Sequence, residues 1–156
     1  MALLEDIIDF DGKALLATSR SDLRAERDKD TVESLGANAH LVRLDVRSRE
    51  DWKNAIEFCD RLGGLDVLVN NAGVLDFGSF EDGKLRLYKE VVETNQVGVF
   101  LGLAISSAAL KKKKGSIVNV SSVTGLKAYS GIAAYVSANW AIRGMTKVNA
   151  RCGNVF

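Results

Sequence analysis

Two hydroxyl side chains in the second half of the sequence have the types and the spacing for chemistry on a carbonyl group. Ser122 ends a predicted strand, and Tyr135 follows 13 residues later near the start of a predicted helix. A serine hydroxyl can hold a carbonyl oxygen while a tyrosine phenol donates a proton to it, so the pair predicts ketone reduction or, in reverse, alcohol oxidation. The residues alone leave a second interpretation open, in which Ser122 is a capping residue and Tyr135 a half-buried packing residue.

Polar and small residues also follow three earlier predicted strands. Asp22 comes just after the first strand, where a carboxylate can accept hydrogen bonds from both ribose hydroxyls of an adenosine, although an aspartate can equally cap a helix there. Asp45 and Val46 end the next strand, and the run Asn71-Ala72-Gly73 ends the one after it. Glycine in such a turn lets the backbone approach a flat ligand, but Gly73 can also be an ordinary turn residue.

The elements that must position these residues alternate between strand and helix. Apolar runs predict strands over residues 13–19, 39–46, 65–69 and 116–120, and helical periodicity predicts helices over 23–35, from Ser48 onward, and over about 85–112 and 132–150. In the helix after Ser48, one stripe is expected to be buried: Trp52, Ala55, Ile56, Cys59 and Leu62. This alternation predicts an α/β fold, a parallel Rossmann-like doubly wound sheet with helices on both faces, in a single domain spanning 1–156.

Composition narrows the classes of function. The chain has 47% hydrophobic and 26% charged residues and a net charge of +1, so we expect a globular domain with neither a nucleic-acid nor a membrane partner. No apolar run reaches the length of a membrane span. The basic run Lys111 to Lys114 is typical of a solvated helix end. Cys59, Cys152 and the single histidine, His40, lie too far apart in the sequence to suggest a metal site, and two thiols favour the cytoplasm.

Together these residues resemble the short-chain dehydrogenase/reductase family over roughly residues 20 to 150. The motif residues are Asn70-Asn71-Ala72-Gly73, Asn95 within Thr-Asn-Gln-Val-Gly-Val-Phe, the pair Ser122 and Tyr135, and the run Ile142 to Lys147. The stretch from His40 to Lys147 is especially similar to hydroxysteroid and secondary-alcohol dehydrogenases. The resemblance implies a small alcohol or ketone substrate and oligomer contacts through the helices at 85–112 and 132–150.

The resemblance also implies a role for each matched residue. Tyr135 would exchange the proton, Ser122 would hold the substrate oxygen, and Asn95 would support a relay water. Asp45, Val46 and the run 71–73 would lie on the adenine side of a dinucleotide. Asp22 precedes Asp45 by 23 residues, a separation typical of members that prefer NAD over NADP, because the charge of Asp22 would repel a 2′-phosphate.

Three departures from the family pattern bear on activity. The Thr-Gly-x-x-x-Gly-x-Gly loop that binds the pyrophosphate is absent, since Gly12 and Gly36 are the only glycines between residues 12 and 45. Asn139 occupies the slot of the family lysine, whose cation lowers the pKa of the tyrosine from its ordinary value of about 10. The sequence stops at Phe156, before the family's last strands, so the strand at 116–120 is expected to be a bare edge that invites self-association.

These departures leave three hypotheses. The first is an NAD-dependent oxidoreductase that interconverts a secondary alcohol and a ketone, with Asn139 weakening catalysis. The second is a catalytically inactive relative that acts only through oligomer contacts. The third is an incomplete gene product, in which a fuller message would restore the glycine loop.

Overall fold

The alternation of strands and helices predicted from the sequence is present in the structure. The computed structural model describes residues 15–19, 30, 32–34 and 37–151, with the backbone alone for 15–19. The elements are β1 (Leu15–Ser19), β2 (Ala39–Arg43), α1 (Arg49–Arg61), β3 (Val67–Asn70), α2 (Leu85–Val92), a π-helical segment (Glu93–Val97), α3 (Gly98–Lys113), β4 (Ser116–Asn119), a 3-10 turn (Val123–Gly125) and α4 (Ala133–Arg151). Most of the predicted helix over 23–35 lies outside the described residues. The part of it that is described, residues 30 and 32–34, is helical.

The strands of the described residues form two parallel pairs. β1 pairs with β2, and β3 pairs with β4, in each case in parallel register. Parallel pairing requires a crossover between the strands, and the long helical stretch from Leu85 to Lys113 provides it for β3 and β4. The carboxyl ends of β3 and β4 therefore lie side by side, with Asn70 opposite Asn119. The architecture is that of an incomplete Rossmann-like fold.

Helix α1 begins as the sequence predicts and buries most of the expected stripe. The Ser48 hydroxyl accepts a hydrogen bond from the Asp51 backbone N–H at 3.1 Å, which satisfies one of the free donors of the first turn. Trp52, Ala55 and Cys59 are buried, and Ile56 is partly buried. The prediction for Leu62 was wrong, because this residue caps the C-terminus of α1, where the helix is already ending, and its side chain is 41% exposed.

Two glycines on α3 let this helix approach its neighbours closely. A Cβ at Gly98 would lie 2.8 Å from the Val46 side chain, and one at Gly102 would collide with Asn70 Oδ1 and lie 3.0 Å from the Trp52 ring. The glycine face of α3 thus joins a core cluster of buried apolar side chains from three segments: Leu44, Trp52 and Leu101. This cluster fixes α1 and α3 against β3.

One face of the β3–β4 pair is covered by helices. Leu68 packs against the cluster between α1 and α3, and its register partner Ile117 packs against Val99, Leu103 and Ile142 on α3 and α4. Side chains alternate across a strand, so Val69 and its partner Val118 point to the other face. They are 38% and 49% exposed, and among the described residues β4 pairs only with β3.

The expectation that no apolar stretch reaches the length of a membrane span does not hold for the helical stretch Leu85–Lys113, which is long and apolar enough, by length and composition, to cross a membrane. This is weak evidence, since a core helix passes the same test and 44% of the apolar window is buried inside the protein. The contacts of α3 with α1 and β3 are those of a core helix.

The described residues contain no group of three or more His, Cys, Asp and Glu side chains that could hold a metal ion. Burial raises the pKa of the Cys59 thiol, because removal from water disfavours the thiolate. A protonated thiol is a poor nucleophile, so Cys59 acts here as an apolar packing residue.

Replacing Gly102 with alanine is expected to destabilise the protein by about 1–3 kcal/mol, because the new methyl group would overlap two buried side chains. Urea unfolding followed by circular dichroism measures the change. Gly144→Ala on α4 is the matched control, since a Cβ there meets nothing within 4 Å and alanine is the better helix former by about 1 kcal/mol. Equal stability of the two variants would contradict the close approach of α3 to β3.

Candidate active site

The site is built where β3 and β4 end side by side. Asn70 and Asn119 face each other in register, and the Asn70 side-chain amide donates to Asn119 Oδ1 at 2.8 Å. The Val120 backbone N–H then donates to the Asn70 carbonyl at 2.9 Å, which extends the pairing one step further. The segments that follow both strands therefore leave the sheet from one place, as expected for a parallel sheet whose ligands bind beyond its carboxyl ends.

Ser122 begins the 3-10 turn that follows β4. Its backbone is extended, with φ −139° and ψ 165°, and its hydroxyl accepts from the Thr124 backbone N–H at 3.3 Å. The capping interpretation from the sequence thus describes the contact that Ser122 makes in this structure. A serine hydroxyl that accepts one hydrogen bond still carries a proton to donate, so capping and substrate contact are compatible.

Tyr135 is the third residue of α4 and is half-buried. The segment before it is tied to the loop after β3, because the Gly78 backbone N–H donates to the Gly131 carbonyl at 2.9 Å and Gly78 forms a parallel β-bridge with Ile132. Gly131 has φ +78°, a conformation that side chains with a Cβ rarely adopt. The start of α4 is thus anchored one turn away from Tyr135.

The 3-10 turn and α4 pack against each other, so the structure brings the neighbourhoods of Ser122 and Tyr135 together. Asn139 lies between them, one helical turn after Tyr135, and its side chain is only 3% exposed. Its amide donates to the Tyr135 carbonyl at 2.9 Å, and its Oδ1 accepts from the Ser121 hydroxyl at 3.0 Å. The residue that the resemblance aligns with the family lysine is therefore a buried neutral amide, and both ends of this amide form hydrogen bonds.

Asn95 lies in the π-helical segment, a feature that is frequent at functional sites. Its side chain makes two hydrogen bonds with the backbone of Val74, accepting from the N–H and donating to the carbonyl, both at 2.8 Å. Val74 directly follows the run 71–73, and this run is exposed. Asn95 therefore holds the loop after β3 in place, while its predicted contact with a relay water stays a prediction.

The two residues predicted at the end of β2 make mainly internal contacts. The strand ends at Arg43, and Asp45 lies beyond it, with its carboxylate 2.6 Å from the Arg47 guanidinium. The Val46 carbonyl accepts from the Trp52 indole N–H at 2.9 Å, and the Val46 side chain packs against Gly98. Asp22 lies outside the described residues.

Sequence reasoning missed two residues that shape the site. Ser121 binds Asn139, and the Arg143 guanidinium donates to the Gly125 carbonyl at 2.5 Å. A signal was present for Arg143, because positions 135, 139 and 143 follow one another at the spacing of a helix face. No signal distinguished Ser121 from Ser122, since only the three-dimensional contacts show which hydroxyl points at α4.

The chain is similar in sequence to a known family and to known dehydrogenases. Residues 7–152 match the short chain dehydrogenase family. The chain is 35% identical over 149 residues to trans-4-hydroxycyclohexanecarboxylate dehydrogenase of Sinomonas cyclohexanicum, covering 95% of this chain and 55% of that protein. It is 37% identical over 147 residues to 3-alpha-(or 20-beta)-hydroxysteroid dehydrogenase of Mycobacterium bovis, covering 93% and 50%.

A solved structure assigned as a short-chain alcohol dehydrogenase from Sinorhizobium meliloti 1021 superposes with a TM-score of 0.79 at 27% identity, covering 88% of this chain and 55% of that one. The chain thus spans about half the length of the relatives that it matches. Because the family match extends over nearly the whole sequence, this chain belongs to the short-chain dehydrogenase family.

Proposed function

We propose that this chain interconverts a cyclic secondary alcohol and its ketone with NAD, at a rate limited by the loss of the family lysine. By descent it is an oxidoreductase, and the proposal adds the reaction and the cofactor. The observation that carries it is the packing of the turn that begins at Ser122 against the helix that contains Tyr135. The relatives' names describe alcohols on cyclohexane and steroid rings, which supports a cyclic, largely apolar substrate such as a steroid.

The chemistry assigned to this chain's residues is a proton transfer and a hydrogen bond. Tyr135 takes the proton from the substrate hydroxyl during oxidation and returns it to the ketone oxygen during reduction. Ser122 donates a hydrogen bond to the same oxygen and so fixes its position. Bound NAD would supply the acceptor for the hydride. Asn95 contributes by holding the loop after β3, through its two hydrogen bonds to Val74.

The exposed run 71–73 suits the close approach of a flat ring. A Cβ at Gly73 would meet only ordinary contacts, the nearest being Asn95 Oδ1 at 3.6 Å, so internal packing does not require glycine at this position. The space that the missing side chain leaves is open to a ligand. Asp22 would favour NAD over NADP by repelling a 2′-phosphate, and the low cysteine content favours a reducing compartment such as the cytoplasm.

The part of NAD that the residues of this chain fit least well is the pyrophosphate. The sequence offers no glycine loop that would present several backbone N–H groups to it. Asp45 and Val46, which the resemblance places on the adenine side, are engaged with Arg47 and Trp52. We therefore expect weaker cofactor binding than in a complete family member.

A second candidate function is an inactive subunit that acts only through oligomer contacts. The observation that favours it is the exposure of large apolar side chains on the two helical stretches through which the resemblance implies oligomer contacts. Phe100 on α3 and Val148 on α4 are each more than half exposed. Exposed apolar side chains mark a protein interface where they form one contiguous patch.

Isothermal titration with NAD and NADH separates the two candidates. Binding in the micromolar range is expected if the chain is an oxidoreductase, and Gly73→Val should weaken it by placing a side chain in the open space. Heat that stays flat to millimolar cofactor would reject the enzymatic proposal. Sedimentation velocity then tests the second candidate, which requires an oligomer that Phe100→Lys and Val148→Lys dissociate.

A further inference from the structure

The turn that contains Ser122 is fastened to α4 at both of its ends. Before Ser122, the Ser121 hydroxyl donates to Asn139 Oδ1 at 3.0 Å and also lies 3.3 Å from the Asn139 carbonyl oxygen. After Ser122, the Arg143 guanidinium donates to the Gly125 carbonyl at 2.5 Å. Ser122 lies between the two fastened points, so its position relative to α4 depends on both of them.

Arg143 is held in a defined orientation. Its guanidinium lies over the Trp140 ring, with 5.6 Å between its central carbon and the ring centroid. A cation over an aromatic face is attracted to the ring electrons, and this contact limits the freedom of a long side chain. Arg143 also leaves little room at its partner, since a Cβ at Gly125 would lie 3.1 Å from Arg143 Cδ and 2.8 Å from Ser121 Oγ.

The turn itself is short and has few bonds of its own. Gly125 N–H donates to the Ser122 carbonyl, and Leu126 N–H donates to the Val123 carbonyl, each at 2.9 Å. A single 3-10 turn has little stability without tertiary contacts. The bond from Arg143 is charge-assisted and therefore stronger than a bond between neutral groups.

From this arrangement we propose that Arg143 is a positioning residue for the reaction at Ser122 and Tyr135, a role that rests on the proposed function. Arg143 lies two helical turns after Tyr135 on the same face of α4, about 12 Å along the helix axis, so it does not touch the reacting atoms. It acts by fixing the end of the turn to the helix that contains Tyr135. The two hydroxyls are thereby kept in one geometry.

The test compares Arg143→Met, Arg143→Lys and Lys147→Met in the full chain. Methionine keeps the apolar stem and removes the donors, lysine keeps the charge and a donor, and Lys147 is an exposed residue on the same helix that serves as the control. Two measurements are made: oxidation of cyclohexanol with NAD, and hydrogen exchange of individual backbone amides by NMR.

For Arg143→Met, kcat should fall about 100-fold, because displacement of a reacting group by about 1 Å has an effect of that size. The KM for NAD should stay unchanged. The Gly125 and Leu126 amides should exchange about tenfold faster, the effect of losing one hydrogen bond, while the Val120 amide between β3 and β4 keeps its rate. Arg143→Lys should recover part of both effects, and Lys147→Met should show neither.

Two outcomes of the exchange measurement would overturn the proposal. One is unchanged exchange at Gly125 and Leu126 in Arg143→Met; the other is an equal rise at every amide, which indicates general destabilisation. Unchanged kcat with faster local exchange would also reject it, because the turn would then be held without consequence for the reaction. If the unmodified chain shows no turnover, the proposed function fails, and the exchange measurement alone still decides whether Arg143 holds the turn.

Discussion

Asn139→Lys should raise alcohol dehydrogenase activity by up to about 100-fold, the lower end of what acid–base assistance supplies. An ammonium in this slot stabilises the phenolate of Tyr135, which the neutral amide cannot do. The same change should lower stability by about 1–3 kcal/mol, because it removes the acceptor of the Ser121 hydroxyl from a nearly fully buried position. Initial rates of NADH formation from cyclohexanol and urea unfolding measure the two effects.

Asn149→Lys is the matched control for this prediction. It makes the same substitution two to three turns further along α4, at a partly buried position beyond the 3-10 turn. Neither effect is expected there. If the unmodified chain turns over alcohol and Asn139→Lys fails to increase the rate, the assignment of residue 139 to the lysine slot is wrong.

Tyr135→Phe should reduce activity by about 100-fold to 10,000-fold, because it removes the one group assigned to proton transfer and leaves the ring in place. The protein should remain folded, since the half-buried ring keeps its apolar contacts. The loss should appear in kcat, with little change in the affinity for NAD. Steady-state kinetics together with cofactor titration on the same preparation measure both quantities.

Tyr88→Phe controls for the loss of any tyrosine hydroxyl. Tyr88 lies on α2 and is exposed, so its phenol has no part in the proposed chemistry. Equal activities of Tyr135→Phe and Tyr88→Phe would show that Tyr135 is not the group that transfers the proton.

The sequence predicts the elements well where local signals agree. The start of α1 after Ser48 and the burial of Trp52, Ala55 and Cys59 follow from helical periodicity, and the structure confirms them. The error at Leu62 shows the limit of such signals. Helical spacing continues to this residue, but Gly63 and Gly64 turn the chain with φ near +100°, so the side chain no longer faces the core.

The side-chain contacts of the site could not be predicted from the sequence, because they join residues far apart in the chain. The sequence indicates that Asn139 lacks a charge, but not that its amide binds Ser121, 18 residues earlier. The ion pair of Asp45 with Arg47 and the hydrogen bonds of Asn95 to Val74 likewise depend on packing and turn geometry. Residue types and spacing name the candidates, and the folded chain determines which partner each one meets.

The π-helical segment at Glu93–Val97 determines which elements the two halves of one long helix pack against. A single extra residue in the helical winding advances every later side chain by about 100° around the axis. The half before the segment, α2, packs against α4. The half after it, α3, packs against α1 and β3. Deleting one residue from this segment would restore regular winding and swing the Gly98–Gly102 stripe away from Trp52, so the bulge sets the rotational phase of the whole crossover.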